Sequence, residues 1–94
     1  MDSGDWKDFV QAIIDQDTEK VNYYLEMDFD PDFLHPEMMT SVLIEAARTG
    51  NPEITEQLLD KGASPTLTSQ IGESAIQIAK NTKNKELLKL LKQY

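Results

Sequence analysis

The 94-residue chain has no cysteine, one histidine and one tryptophan. Without cysteine, neither a disulfide framework nor a thiolate metal site can form. A single histidine excludes any metal pair built on two imidazoles. No apolar stretch approaches the length of a membrane span, and no basic segment followed by an apolar run opens the chain. A soluble cytoplasmic protein with no membrane partner is therefore expected. Basic side chains are also scarce: nine Lys and Arg stand against seventeen Asp and Glu, a net charge of −8. That balance argues against a nucleic-acid partner, because a phosphate backbone would be repelled.

The shortage of basic residues is local. Residues 1–60 hold fifteen Asp and Glu against Lys7, Lys20 and Arg48, a net −12. Residues 61–94 hold Glu73 and Glu86 against six lysines, a net +4. One reading is a solvated acidic surface that keeps a small protein soluble. The other is an acidic face that steers a basic partner towards the first two-thirds of the chain.

Residues that carry chemistry are as sparse. His35 stands beside Pro36 with no second histidine, and reads as a packing or surface residue rather than a ligand. Asp28, Asp30 and Asp32 alternate like the opening of a calcium loop. The glycine needed at the sixth position is Phe33, and the glutamate needed at the twelfth is Met39, so that match fails. Ser41 and Ser74 read as helix caps, since no base is paired with them. No glycine-rich phosphate loop is present. No catalytic residue, cofactor or metal is expected, and the chain does not read as an enzyme.

What is present is a pattern, clearest in residues 41–65, SVLIEAARTGNPEITEQLLDKGASP. Leu43, Ala46 and Ala47 share one helical face, and Ile54, Leu58 and Leu59 share another. Between them Gly50 can take the left-handed conformation that closes one helix, Asn51 can cap the next, and Pro52 suits its first position. Gly62 ends the second helix and Pro65 forbids its return. Helices this short cannot stand alone, so the unit must stack. The run from Ala46 to Ala63 closely resembles the ankyrin repeat, which implies a short helix, a tight turn, a second helix and a loop pointing sideways.

The same phase recurs at Ala12 and Ala79, 34 residues before and 33 after Ala46. The resemblance then spans almost the whole chain as one domain, with repeats at about 2–35, 36–68 and 69–94. Helices are expected near 6–15, 18–27, 41–48, 52–60, 75–81 and 85–93. The fold class is all-α: a solenoid of three stacked helix pairs with short loops or β-turn tips, the outer two pairs acting as caps. Departures from the family pattern matter. The family's Thr-Pro-Leu-His opening reads Ser41-Val42-Leu43-Ile44 and Ser74-Ala75-Ile76-Gln77, without the histidine that braces the loop. Ser74 and Gln77 have capping-box spacing. Gln16 and Asp28 replace glycines, which implies less well closed helix ends, and the connector 29–40 is one residue longer than a strict period.

Ankyrin repeats generally bind partners through the loop tips and the exposed side of each first helix. Carried over by phase, Trp6, Thr40 and Glu73 share one station, Met38 and Ile71 another, and Ile14, Arg48 and Asn81 a third. Trp6, Met38 and Ile71 would form an anchor strip that Phe33 extends, with Trp6 alternatively covering the end of the first repeat. The resemblance thus implies a protein–protein interaction module, expected as a monomeric adaptor or inhibitor, and the acidic residues 1–60 point to a partner with a basic surface. The alternative is a self-assembling protein whose acidic N-terminal end stacks head to tail on the basic C-terminal end of the next copy.

Overall fold

The computed structural model describes all residues, 1–94, and contains six helices in three successive pairs. They are α1 (Ser3–Ile14), α2 (Thr18–Leu25), α3 (Val42–Thr49), α4 (Pro52–Asp60), α5 (Ala75–Asn81) and α6 (Lys85–Lys92). Each helix begins where a side-chain oxygen accepts an orphan backbone N–H: Asp2, Asp17, Ser41, Asn51, Ser74 and Asn84 in turn. Helix α1 starts three residues earlier than its apolar pattern suggests. Asp2 accepts from the Asp5 N–H at 2.8 Å while Asp5 accepts from the Asp2 N–H at 3.5 Å, a capping box made of two aspartates. At α5 only half of the expected box forms. Ser74 accepts from the Gln77 N–H, but the Gln77 amide turns to Asn81 instead.

The first helices form one layer, with α3 packed between α1 and α5, and the second helices form the other. Ala12, Ala46 and Ala79 are buried at the same station of the three first helices. A methyl side chain there lets neighbouring backbones approach closely, and a larger one would overpack the contact. The core continues through Ile13, Leu43, Ile54, Leu58, Leu87 and Leu91, all buried to within 2%. Tyr24 is inside and its neighbour Tyr23 outside, as their helical phase requires.

The turns between paired helices use one solution three times. Gln16, Gly50 and Lys83 take φ of +55°, +75° and +57°, the left-handed region at equivalent stations. The first and third turns are thus closed without glycine: the Asp17 N–H reaches the Ala12 carbonyl at 2.9 Å, and the Asn84 N–H the Ala79 carbonyl at 3.0 Å. This corrects the expectation that Gln16 leaves α1 poorly closed. Stacking interactions overcome the modest strain of a non-glycine residue there.

Equivalent side chains link successive repeats. The cap Asn51 donates to the Gln16 side chain at 3.1 Å, and the cap Asn84 donates to the Gly50 carbonyl at 3.4 Å. Gln57 donates to Asn22 at 3.0 Å and Tyr94 to Asp60 at 2.6 Å, so the second helices are tied as well. No buried side-chain nitrogen or oxygen lacks a partner.

Candidate binding surface

Two loop tips follow the helix pairs. In the second, the Ser69 N–H reaches the Glu73 carbonyl at 2.7 Å, Gly72 takes φ of +83°, and the Ser69 hydroxyl accepts the Glu73 N–H. In the first, the His35 N–H reaches the Thr40 carbonyl at 3.1 Å and Met39 takes φ of +56°. The two tips therefore have the same closure, but the first contains one residue more, which locates the extra residue of the connector between His35 and Thr40. There the His35 imidazole takes the place of the Ser69 hydroxyl. Its Nδ1 accepts the N–H of Glu37 at 3.1 Å and of Met38 at 3.3 Å. A ring reaches further than a hydroxyl, so it can serve the longer tip.

Arg48, the single arginine, joins the two tips. It lies near the end of α3, and both its terminal nitrogens bond Glu73, Nη1 at 3.0 Å and Nη2 through a shorter contact to Oε1. Its Nε donates to Glu45 at 2.7 Å, and Glu45 in turn accepts from the Thr40 hydroxyl at 3.0 Å. A planar guanidinium suits this two-sided fork, which a lysine could not reproduce. Hydrogen bonding to Arg48 holds the Glu73 carboxyl below the usual range, and Glu73 with Glu45 holds the Arg48 guanidinium above its own.

Above this polar floor lies a shallow depression of about 440 Å³, lined by Met38, Met39, Thr40, Glu45, Arg48, Ile71 and Glu73. Ile71, at the second tip, is 71% exposed, and Met39, at the first, is 41% exposed. A large aliphatic side chain this open makes no contribution to the core.

An ankyrin-repeat family model matches residues 40–70. The crystal structure of EF0377, an ankyrin repeat protein, superposes with a TM-score of 0.80 at 27% identity, covering 92% of this chain. Residues 40–70 match an ankyrin repeat, and the whole chain has the ankyrin-repeat fold. It spans 46% of that structure's chain, and no curated protein sequence matches it. Ankyrin repeats are generally protein–protein interaction modules, and no helix of this one is long and apolar enough to cross a membrane.

The ankyrin stack brings together five of the seven candidate residues: Met38, Thr40, Arg48, Ile71 and Glu73 line the one depression. Trp6 and Phe33 lie elsewhere and line a separate cleft. Two of the seven offer little side-chain area. Trp6 is 6% exposed, packed on Phe33 at 5.1 Å and stacked with Phe9 at 5.9 Å, and Thr40 is 8% exposed beneath Glu45. A continuous exposed strip running from Trp6 to Ile71 is therefore absent, because the aromatic side chain turns into the first repeat. Phase alone does not point to Met39 and Glu45. Their signals are the 33-residue offset from Met39 to Gly72 and the three-residue spacing from Glu45 to Arg48 on one helix.

Proposed function

We propose that this protein binds a folded protein partner at the tip-and-helix surface around Ile71, Met38 and Met39, with Arg48, Glu45 and Glu73 fixing its floor. The observation that carries the reading is Ile71, 71% exposed at the end of a closed tip whose floor is fixed by charge-assisted hydrogen bonds. A pre-organised apolar anchor loses little freedom on binding. The net −12 of residues 1–60 favours a partner with a basic surface, and docking there suits an adaptor or an inhibitor better than an enzyme.

Partner capture followed by titration against purified partner tests this. Ile71→Ala is expected to weaken binding by more than about 1 kcal/mol with the melting temperature nearly unchanged. Replacing Asp5 and Asp8 by Asn is expected mainly to slow association and flatten its salt dependence. If Ile71→Ala unfolds the protein while changes at Met39 and Arg48 leave binding intact, the surface is misassigned.

A second reading, head-to-tail self-association, is supported by the ends of the stack. Helix α6 exposes Lys85, Lys89 and Lys92 around half-buried Leu88, while α1, its C-cap and α2 expose Asp8, Asp15 and Glu19. Sedimentation at two salt concentrations separates the readings, since charge-driven stacking weakens as salt rises.

A further inference from the structure

The cleft holding Trp6 and Phe33 is a different place from the Ile71 depression and differs from it in chemistry. It has a volume of about 390 Å³ and lies between the start of α1 and the connector that follows α2. Its apolar wall is formed by half-buried Phe29 and Phe33, backed by the buried Trp6, which lies 5.9 Å from Phe29 edge-on and 5.1 Å from Phe33. Its acidic lining residues are Asp2, Asp30 and Glu37. No lysine or arginine is among the lining residues. Asp2 and Asp30 each spend one oxygen, Oδ1, on a backbone N–H, from Asp5 and Asp32 respectively, and neither Oδ2 accepts from a protein donor. Glu37 has already drawn in the chain's own Lys7, whose Nζ lies 2.6 Å from Oε2. That pair holds the Glu37 carboxyl below the usual range.

Aromatic walls with carboxylates beside them suit a cation on an apolar stem. The stem is desolvated against the rings, the charged head gains cation–π attraction, and the carboxylates accept its hydrogen bonds. An anion would meet three carboxylates, only one of them paired with a lysine. The volume falls near the lower end of the range for ligand sites, about 300–1,000 Å³, which is room for one long side chain with its backbone. A guanidinium stacks on aromatic planes and forks onto carboxylates better than an ammonium does. The geometry points to a cleft that accepts an arginine side chain from a flexible basic segment of a partner protein. This goes beyond docking at Ile71 and stands or falls separately, since the two surfaces share no lining residue.

Trp6 is the only tryptophan, so its emission reports on this cleft alone. The probes are acetyl-Gly-Gly-Arg-Gly-Gly-amide and its citrulline counterpart, which has the same shape and no charge. The arginine peptide is expected to change Trp6 emission saturably, and the citrulline peptide to bind about tenfold or more weakly. Asp2→Asn combined with Asp30→Asn keeps the cap and the turn, because Asn serves both, and is expected to raise Kd about five- to tenfold. Phe33→Ala is expected to weaken binding to a similar extent. Glu53→Gln with Glu56→Gln, an equal charge change on α4, is expected to leave Kd within about twofold. The proposal is overturned if emission does not saturate, if citrulline binds as well as arginine, or if the α4 pair weakens binding as much as the Asp2/Asp30 pair. Circular dichroism establishes that each variant is folded, and the Trp6 indole N–H resonance gives a second reading of the same site.

Discussion

His35 Nε2 and Ser3 Oγ lie 2.9 Å apart, joining the first loop tip to the first turn of α1. Because Nδ1 accepts two backbone N–H groups, the ring proton sits on Nε2 and is donated to the serine. His35 is 3% exposed, so it fastens the longer tip from inside. The missing loop-opening histidine of the family pattern thus has a partial substitute reached from the other direction.

Replacing His35 should show this. His35→Ala leaves the Glu37 and Met38 N–H groups without their acceptor, at an expected cost of about 1–3 kcal/mol. Ser3→Ala is expected to cost about 1 kcal/mol, and the double variant less than the sum, because the two side chains share one bond. Urea unfolding of the three variants measures the coupling, and strict additivity would mean that the bond contributes nothing.

The glycines divide by what a Cβ would meet. Gly50, at φ +75°, would place one 3.2 Å from Asn84 Nδ2, whereas Gly62, at φ +95°, has open space around it. Gly50→Ala is expected to cost the left-handed penalty of about 1–2 kcal/mol and also to disturb the Asn84 link. Gly62→Ala is expected to pay the strain alone. Gln16→Gly relieves strain but loosens the unfolded chain and loses the bond from Asn51, so a change within about 1 kcal/mol is expected. Melting temperatures should rank Gly50→Ala lowest of the three.

Acid should loosen the surface around Arg48. The Glu73 carboxyl is held low in the folded protein by Arg48, and Glu37 likewise by Lys7. A depressed carboxyl contributes stability that is present above its unfolded pKa, about 4.3, and is lost as pH falls through the lower folded value. The urea midpoint is therefore expected to fall as pH drops below about 5, and Glu73→Gln should flatten that part of the curve. Both pairs are solvent-screened, so the slope is modest.

Much of the stack is legible in the residues. Asn51-Pro52 after Gly50 dictates the middle turn by local chemistry alone, and the apolar spacing of Ile54, Leu58 and Leu59 places its second helix. The start of α1 carries a weaker signal. Asp2 and Asp5 form a capping box without the usual serine and glutamate, so α1 begins at Ser3 rather than near Trp6. Trp6 is ambiguous in the sequence for another reason: phase puts it on the partner-facing side, but the rings of Phe29 and Phe33 arrive from a connector with no periodicity to predict their position. The fork of Arg48 onto Glu73 spans 25 residues, and only the completed stack brings the two together.

The ties between equivalent side chains also bear on how the molecule answers a pull. Gln16 to Asn51, Gly50 to Asn84 and Asp60 to Tyr94 each bridge one repeat to the next, at separations of 35, 34 and 34 residues. The first joins the first and second repeats and the other two join the second and third, so tension applied between Met1 and Tyr94 meets the two repeat interfaces in series. Each interface carries the whole load in turn, so the stack should peel one helix pair at a time at low force, as a spring that uncoils, and should rewind by the same steps when the load is removed.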